Sequence, residues 1–260
     1  MVSLKKVSKS FDNGLSFAVK EIDLDIRPGE LLVFLGESGC GKTTTLKTIN
    51  RLIEPTSGKI LINGEDTSKT DPVNLRRSIG YVFQEIGLFP HINIAGNIGM
   101  VPKLLGWPDD RIKSRTDELL NLVGLEPDKY QDRMPHELSG GQQQRIGVAR
   151  ALAAGSKIML MDEPFGALDP ITRTNLIEEF ARINKELKLT VVMVTHDVLE
   201  ALILADRIAI MRSGEILALG KPAELISRPP HPYVSELLNS PRRQTEKVNR
   251  IIRGDNKNDL

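Results

Sequence analysis

The sequence predicts an α/β protein with a parallel sheet at its centre, and two observations carry this prediction. Three short apolar runs, at residues 31–35, 158–161 and 189–194, suit strands that are buried on both faces. Helical patterns lie between and after these runs, as in the amphipathic stretch 171–187. Buried strands that alternate with helices pack as a parallel sheet whose faces the helices cover.

The first part of the chain predicts antiparallel strands instead. Residues 2–26 alternate loosely between apolar and polar types and are interrupted by Asp12-Asn13-Gly14, which favours a hairpin or a meander. Residues 42–52 then have a helical pattern, and residues 59–63 and 77–83 return to strand patterns.

A long helical segment follows at residues 88–154, where helical periodicity is clear, as at 115–123, and strand signals are few. We interpret it as a helical insert. Ser139 stands where the last helix of the insert should have its N-cap, and Gly155 would close that helix. Beyond the apolar run at 189–194 we expect a helix at 197–205, a hairpin at 207–219 and a polar tail that frays from Pro241 onward.

Composition limits the classes of function. Charged residues make up 27% of the 260-residue chain and the net charge is +1, which argues against a nucleic-acid partner. Cys40 is the one cysteine, so no disulfide can form within the chain, which fits a reducing cytosol. The N-terminus lacks the apolar stretch of a signal peptide, and no segment resembles a membrane span. We therefore expect another protein to provide any link to a membrane.

The strongest motif is a glycine-rich loop between a predicted strand and a predicted helix. It fits G-x-x-x-x-G-K-[ST] and consists of Gly36, Glu37, Ser38, Gly39, Cys40, Gly41, Lys42 and Thr43. The glycines let backbone N–H groups approach phosphates, Lys42 would pair with the β- and γ-phosphates, and Thr43 would ligate Mg²⁺. An ordinary glycine turn is the alternative. Together with Thr44 these residues are our predicted ATP-binding loop, in which Cys40 has a passive role.

Polar side chains at the ends of other strands are the candidates for the catalytic base, for further Mg²⁺ ligands and for a contact with the γ-phosphate. Ligands bind at the carboxyl ends of parallel strands, where Asp162 and Glu163 lie. Asp162 would hold Mg²⁺ through water, and Glu163 would polarise the water that attacks the γ-phosphate. His196 would contact the γ-phosphate, and the Gln84 amide oxygen would ligate Mg²⁺. The alternative is a pair of carboxylates that merely ends a strand.

A second glycine motif, Ser139, Gly140, Gly141 and Gln142, precedes a predicted helix. Its N–H groups and the helix dipole would point at an anion, although a flexible N-cap explains the motif equally well when it is taken alone. One set of phosphates needs only one such cradle. We therefore infer that each nucleotide is held between two copies of the chain.

Taken together, these motifs resemble the ATP-binding subunits of ABC transporters over residues 2–238. The resemblance identifies the loop at 36–43 as Walker A, residues 158–163 as Walker B and residues 138–142 as the signature motif. Gln84 matches the Q-loop, Asp169 with the two residues before it the D-loop, and His196 with its neighbours the H-loop. Phe11 stands where the family stacks an aromatic ring on adenine, with core packing as the alternative.

The resemblance implies a P-loop NTPase (RecA-like) fold. This fold has a parallel sheet core, an N-terminal antiparallel β subdomain and an inserted α-helical subdomain at about 88–155. The nucleotide-binding domain would span 1–240, followed by a short polar tail, 241–260, without the CBS domains that many relatives carry. ATP and Mg²⁺ are the implied ligands.

The resemblance also implies partners. Two ATP molecules would lie in a dimer of ATPase subunits, each between Walker A of one chain and Ser139, Gly140 and Gly141 of the other. A groove near residues 84–90 would receive a helix of a membrane permease, with Ile86, Leu88 and Phe89 as its apolar socket. A substrate-binding protein would act indirectly, and the chain would lie at the cytoplasmic face of the cell membrane.

Three segments narrow the subfamily. Residues 79–91, 50–56 and 161–173 look like importers of quaternary-amine osmoprotectants such as glycine betaine, carnitine and choline. Importers of amino acids and polyamines share parts of these segments, so another small solute is the runner-up. A soluble ABC ATPase of translation or DNA repair is a remote alternative. A P-loop small-molecule kinase would not explain residues 139–142 or His196.

Overall fold

The computed structural model describes residues 1–253, which form ten strands and eleven α-helices. The strands are β1 (Val2–Lys9), β2 (Val19–Ile26), β3 (Leu31–Leu35), β4 (Ser57–Ile62), β5 (Glu65–Asp66), β6 (Ile79–Val82), β7 (Ile158–Asp162), β8 (Thr190–Thr195), β9 (Arg207–Arg212) and β10 (Glu215–Gly220). The helices are α1 (Lys42–Ile49), α2 (Pro72–Arg77), α3 (Ile94–Leu104), α4 (Asp109–Leu122), α5 (Pro127–Tyr130), α6 (Gly140–Leu152), α7 (Pro170–Leu187), α8 (Val198–Leu204), α9 (Pro222–Ser227), α10 (Pro232–Leu238) and α11 (Ser240–Arg253).

The central sheet has six strands in the order β10-β9-β3-β8-β7-β6. All neighbours are parallel except β10, which pairs antiparallel with β9 at the edge. The predicted parallel core is therefore confirmed, and so are the three apolar runs as its strands β3, β7 and β8. Because these strands are parallel, their carboxyl ends lie along one edge of the sheet.

A second sheet, in the order β2-β1-β4-β5, is antiparallel, as the loose alternation of residues 2–26 predicted. The two faces of β3 show how the layers are arranged. Leu32 and Phe34 pack in a cluster with the antiparallel sheet and α1, whereas Leu31, Val33 and Leu35 pack with the helices on the other face. Burial on both faces is the reason that this strand reads as a continuous apolar run.

The segment between β6 and β7 is helical, in agreement with the prediction, and contains α3 to α6. Helix α6 is more than part of an insert, because it lies directly on the central sheet. A Cβ atom added to Gly80 in β6 would be only 2.5 Å from the carbonyl oxygen of Ala151. Ile146 and Ala149 of the same helix are fully buried in the main core. The helix that begins at the second glycine motif is therefore held by the parallel sheet.

Several elements differ from the sequence prediction, among them α9 and α10, which were not predicted. Helix α1 ends at Ile49 rather than residue 52, and α2 was not predicted, although Asp71 caps its first turn and Pro72 follows as its first residue. The chain also does not fray at Pro241, because α11 runs to Arg253, with an Arg242–Glu246 ion pair of 3.0 Å on its surface. Residues 254–260 of the predicted tail lie outside the described residues. Within residues 1–253, no helix is both long and apolar enough to cross a membrane.

Candidate functional site

The glycine-rich loop connects β3 to α1, as the motif requires, and lies tightly against its surroundings. Gly41 has φ of 106°, and a Cβ atom there would be 2.2 Å from the carbonyl oxygen of Ala18. A Cβ atom on Gly36 would be 2.3 Å from the carbonyl oxygen of Met211. Side chains at either position would therefore push the loop away from the backbones beside it.

Lys42 is buried inside this loop. Its Nζ donates hydrogen bonds to the carbonyl oxygens of Gly36 at 2.7 Å and Glu37 at 2.8 Å. The loop thus holds a positive charge in place through two carbonyl oxygens, and this charge would attract an anion. Cys40 is also buried, and burial raises the pKa of its thiol, while the passive role of this residue stays a prediction. The other loop residues are more accessible: Glu37, Ser38 and Gly39 are exposed, and Thr43 and Thr44 are half-buried.

Two predicted magnesium ligands are in direct contact. The Thr43 hydroxyl donates a hydrogen bond of 2.7 Å to Oδ1 of Asp162, which is buried at the end of β7. Both groups supply oxygen atoms, which are the ligands that Mg²⁺ prefers. Among residues 1–253 no cluster of three or more His, Cys, Asp or Glu side chains could enclose a metal. The residues therefore fit a magnesium ion whose other ligands are water and phosphate, the usual arrangement in nucleotide sites.

Two neighbours of Asp162 were missed by the sequence analysis. The Tyr81 hydroxyl lies 3.5 Å from Asp162 Oδ2, and Lys47 Nζ lies 3.7 Å from the same oxygen. Burial, reinforced by the Asp162 charge, raises the pKa of Tyr81, so the phenol remains a donor. Lys47 follows Thr43 by four residues on α1, so helical spacing was a usable signal for it. No comparable sequence signal marked Tyr81.

Two other predicted site residues, His196 and Gln84, lie close to the Glu163 carboxylate. His196 Nδ1 lies 3.1 Å from Glu163 Oε2, and Gln84 Nε2 lies 3.5 Å from the same oxygen. Because a carboxylate only accepts hydrogen bonds, Nδ1 carries the shared proton. Glu163 also has φ of 45°, and its N–H donates to the carbonyl of Val194 at 2.9 Å. A left-handed conformation costs energy for a residue other than glycine and is typical of functional sites.

His196 is held by hydrogen bonds of the residues on either side of it. The Thr195 hydroxyl donates to buried Glu200 at 2.6 Å and accepts from the N–H of Asp197 at 3.0 Å. Asp197 in turn caps α8 by accepting from the N–H of Leu199 at 2.8 Å. The turn that presents His196 is therefore fixed to the start of α8.

The second glycine motif opens α6 with a capping box. The Ser139 hydroxyl accepts from the N–H of Gln142 at 3.3 Å, and the Gln142 side chain accepts from the N–H of Ser139 at 3.0 Å. Ser139 and Gly140 are exposed, whereas Gly141 is buried against Thr172 of α7. In the part of the chain that the structure describes, no hydrogen bond or ion pair joins this motif to Lys42, Asp162, Glu163 or His196. The structure thus separates the two glycine motifs, and anion binding at each of them stays a prediction.

Asp169 and Phe11 both reach solvent. Asp169 caps α7 by accepting from the N–H of Thr172 at 3.1 Å, and hydrogen bonds from Thr172 hold the pKa of this carboxyl below its usual value. The Phe11 ring is 67% exposed, so it does not serve core packing. Lys9 Nζ lies 5.0 Å from the centre of that ring, within cation–π range.

A groove of about 660 Å³ lies beside the predicted permease segment, between α2, β6, α3 and α6. Its apolar lining includes Phe83 and Phe89, both more than 40% exposed. Its cationic lining consists of Lys47, Arg76, Arg77 and Arg150, and Gln84 and Asp162 also reach it. The groove therefore extends from the protein surface to the predicted magnesium ligands.

The structure separates the three side chains that we predicted to form one socket. Phe89 lines the groove, but Leu88 packs against the main core. Ile86 approaches α6 at Gly147, and its carbonyl accepts a hydrogen bond of 3.1 Å from Arg150. The chain turns at Gly87 with φ of 60°, which directs these neighbouring apolar side chains to different sides. These three residues are close in sequence, but their side chains do not lie on the same face of the loop.

Comparison with known proteins gives one family. Residues 19–166 match the family model described as ABC transporter. The Bacillus subtilis glycine betaine/carnitine/choline transport ATP-binding protein OpuCA is 57% identical over 93% of this chain and 63% of its own length. The choline transport ATP-binding protein OpuBA of the same organism is 54% identical over 97% of this chain and 67% of its own length. The chain thus spans about two thirds of the length of these curated relatives.

Solved structures agree with this result. The dimeric structure of a post-hydrolysis state of the ATP-binding cassette MJ0796, bound to ADP and Pi, is similar to this chain with a TM-score of 0.75. Sequence identity to it is 34%, and the match covers 85% of this chain and 99% of that one.

Proposed function

This chain belongs to the ABC transporter family, and from that premise we propose that it is the ATP-binding and ATP-hydrolysing subunit of an importer. The cargo that we propose is a quaternary-amine osmoprotectant such as glycine betaine, carnitine or choline. The relatives named for these solutes support it, because the identity extends over more than nine tenths of the chain. The observation that carries the ATPase assignment is the Glu163 carboxylate, shared by His196 and Gln84 beside the Thr43–Asp162 pair.

ATP would bind with its phosphates in the loop at 36–43. Lys42 is already directed into that loop, and exchanging its contacts with the Gly36 and Glu37 carbonyls for phosphate oxygens needs only local movement. The exposed Phe11 ring offers an apolar face for adenine. This assignment leaves Cys40 as a buried thiol without a chemical role.

Magnesium would be held by Thr43, Asp162 and Gln84, with Asp162 acting through water. The ion would supply positive charge to the β- and γ-phosphates. In this chain Tyr81 and Lys47 hold the Asp162 carboxylate in place and limit its movement. Their contacts keep this negative charge at the end of β7, next to the catalytic Glu163.

Hydrolysis would use Glu163 as the base that orients and deprotonates water. His196 holds Glu163 through Nδ1, which leaves Nε2 free to meet the γ-phosphate. The Gln84 amide shares the same carboxylate oxygen, so a displacement of its segment would change the environment of the base. Through this contact, a movement of the segment that lines the groove would reach the Glu163 carboxylate.

The second glycine motif would serve the ATP of another copy. Ser139 and Gly140 are exposed at the start of a 13-residue helix, where N–H groups and the helix dipole favour a phosphate. The similar MJ0796 cassette, whose structure is dimeric, supports the same assembly here. We propose a homodimer in which each ATP lies between two chains, with Asp169 at the subunit boundary.

The groove would accept a helix of the membrane permease, and this contact would hold the subunit at the cytoplasmic face of the membrane. Phe83 and Phe89 offer apolar contact, and the cationic lining favours acidic residues on the partner helix. A substrate-binding protein would then deliver the solute to the permease without touching this chain.

The direct test replaces Glu163 by Gln. We expect the hydrolysis rate to fall by roughly 10²- to 10⁴-fold, because the base is lost, while the affinity for ATP is retained. The matched control is Glu178→Gln, an exposed carboxylate on α7 that should leave both quantities unchanged. Phosphate release and equilibrium ATP binding give the two readouts. Normal hydrolysis by the Glu163→Gln chain would remove Glu163 from this role, and uptake by the reconstituted importer identifies the solute.

A further inference from the structure

The first turn of α7 contacts three functional loops at once. Asp169 caps this turn, Thr172 lies against the second glycine motif, and Arg173 reaches the loop that carries His196. We propose that Arg173 is a positioning residue that couples the signature motif of one chain to His196 of the same chain. This inference rests on the proposed function, because the signature motif would serve the partner's ATP and His196 the chain's own.

Arg173 fixes the segment before α7. Its Nη2 donates to the carbonyl oxygen of Leu168 at 3.1 Å and approaches that of Gly166 at 3.4 Å. Gly166 is joined to Glu163 by a backbone hydrogen bond of 3.2 Å. The guanidinium therefore holds the stretch that runs from the catalytic Glu163 to Asp169.

The same guanidinium reaches across to the His196 turn. Its Nη1 lies 3.5 Å from Oδ2 of Asp197, and both side chains are about seven tenths buried. Asp197 Oδ1 is occupied by the α8 cap, so the carboxylate cannot follow Arg173 without disturbing that cap. Because His196 is the residue directly before Asp197, a shift of Arg173 changes the orientation of the imidazole.

The signature motif contacts α7 at Thr172, the residue directly before Arg173. A Cβ atom on Gly141 would be 2.5 Å from Cγ2 of Thr172, so the backbone of α6 and this side chain are in close contact. Further along the same two helices, Arg145 Nη1 pairs with Glu179 at 2.6 Å. Helix α6 therefore cannot move without displacing α7. A movement at the start of α6 displaces Thr172 in the first turn of α7, and with it the adjacent Arg173.

These contacts form a short chain from one ATP site to the other within a single subunit. Binding of the partner's phosphates at 139–141 would press α6 on Thr172, and Arg173 would pass the movement to Asp197 and His196. The coupling needs a side chain that reaches both the Leu168 carbonyl and Asp197. The planar fork of arginine provides two donors for this purpose, whereas lysine offers a single ammonium group.

The test compares Arg173→Met and Arg173→Lys with Arg182→Met, an exposed arginine on the same helix. For Arg173→Met we expect kcat per ATP-binding chain to fall about tenfold and the Hill coefficient for ATP to fall to about 1. Affinity of the monomer for ATP should stay within about twofold of wild type, because the loop at 36–43 does not contact Arg173. Arg173→Lys should restore less than half of the lost rate, and Arg182→Met should behave as wild type.

A double-mutant cycle distinguishes coupling through Asp197 from a general structural effect of losing Arg173. If Arg173 acts through Asp197, the chain with Arg173→Met and Asp197→Asn together should be no slower than the slower single variant, within about twofold. Additive losses, a kcat for Arg173→Met equal to that of Arg182→Met, or a wild-type Hill coefficient of 1 would each overturn the coupling. A wild-type chain that binds ATP but never hydrolyses it would instead overturn the proposed function.

Discussion

Glu163 shows which properties of one residue can be predicted from the sequence. Its place at the end of an apolar strand predicts a catalytic carboxylate, because ligands bind at this edge of a parallel sheet. Its left-handed φ of 45° was not predictable, since that conformation depends on the hydrogen bond from its N–H to β8. Tyr81, Arg173 and Glu200 were missed for a similar reason. Their partners are distant in sequence, and only the packed sheet brings them together.

Glu200 offers a test at the scale of a residue. Burial raises its pKa above the ordinary value of 4.5, against the opposing effects of the Thr195 hydrogen bond and of Arg173 and His196, whereas Asp197 adds to the rise. A carboxyl whose pKa is higher in the folded state favours its protonated form on folding. Its ionisation therefore costs stability, and this cost is absent below the unfolded pKa and develops as the pH rises through the folded pKa.

We therefore expect Glu200→Gln to gain stability relative to wild type as the pH rises from 4 to 7. The measurement is the difference in Tm between the variant and wild type across that range, where each kcal/mol corresponds to roughly 2–4 °C for a chain of this size. Glu178→Gln, at an exposed position, should show no such trend. A Tm difference that is flat or falls with pH would show that the charged form of Glu200 is not penalised by burial.

At the scale of elements, regular patterns predicted well and short or polar elements did not. Strands β3, β7 and β8 are apolar on both faces, so each gives a clear signal. Helix α2 has only six residues and gives no helical period, although its Asp71-Pro72 start is a recognisable cap. Helix α11 was expected to fray because few of its residues are apolar, and its fold depends on local pairing and on contact with α10 and α8.

The groove is assembled from four elements and gives the test at this scale. Replacing Phe89 by Asp puts a charge on its apolar lining, where a permease helix would lose contact. We expect the amount of permease that co-purifies with the subunit to fall by about tenfold or more. ATP hydrolysis by the isolated subunit should be retained, because Phe89 does not touch the catalytic cluster.

The matched control for the groove is Ile226→Asp, at a position on α9 with similar exposure that does not line the groove. This variant should retain the permease. Equal retention by the Phe89 and Ile226 variants would contradict the docking proposal. Equal loss in both would point to a general defect rather than to the groove.

At the scale of the whole molecule, the two glycine motifs are the central feature. The sequence predicted both, and the structure places them on different helices: the loop at 36–43 leads into α1, and residues 139–142 open α6. Lys42, Asp162, Glu163 and His196 lie at or beside the first, whereas the second is exposed to solvent at Ser139 and Gly140. Under the proposed function, a single chain has catalytic groups for one nucleotide and an additional helix end for an anion without them. Pairing two chains would resolve this mismatch, because each chain would then complete the site of the other.

The mass of the Glu163→Gln chain in solution with ATP and Mg²⁺ tests this account most directly. Slow hydrolysis keeps ATP bound, so light scattering after gel filtration should give twice the mass of one chain with ATP and the mass of one chain without it. The same chain carrying Ser139→Glu as well should bind ATP and stay a monomer, because the added carboxylate would repel the partner's phosphates. A Glu163→Gln chain that is saturated with ATP and still has the mass of one chain at every concentration would contradict the shared site.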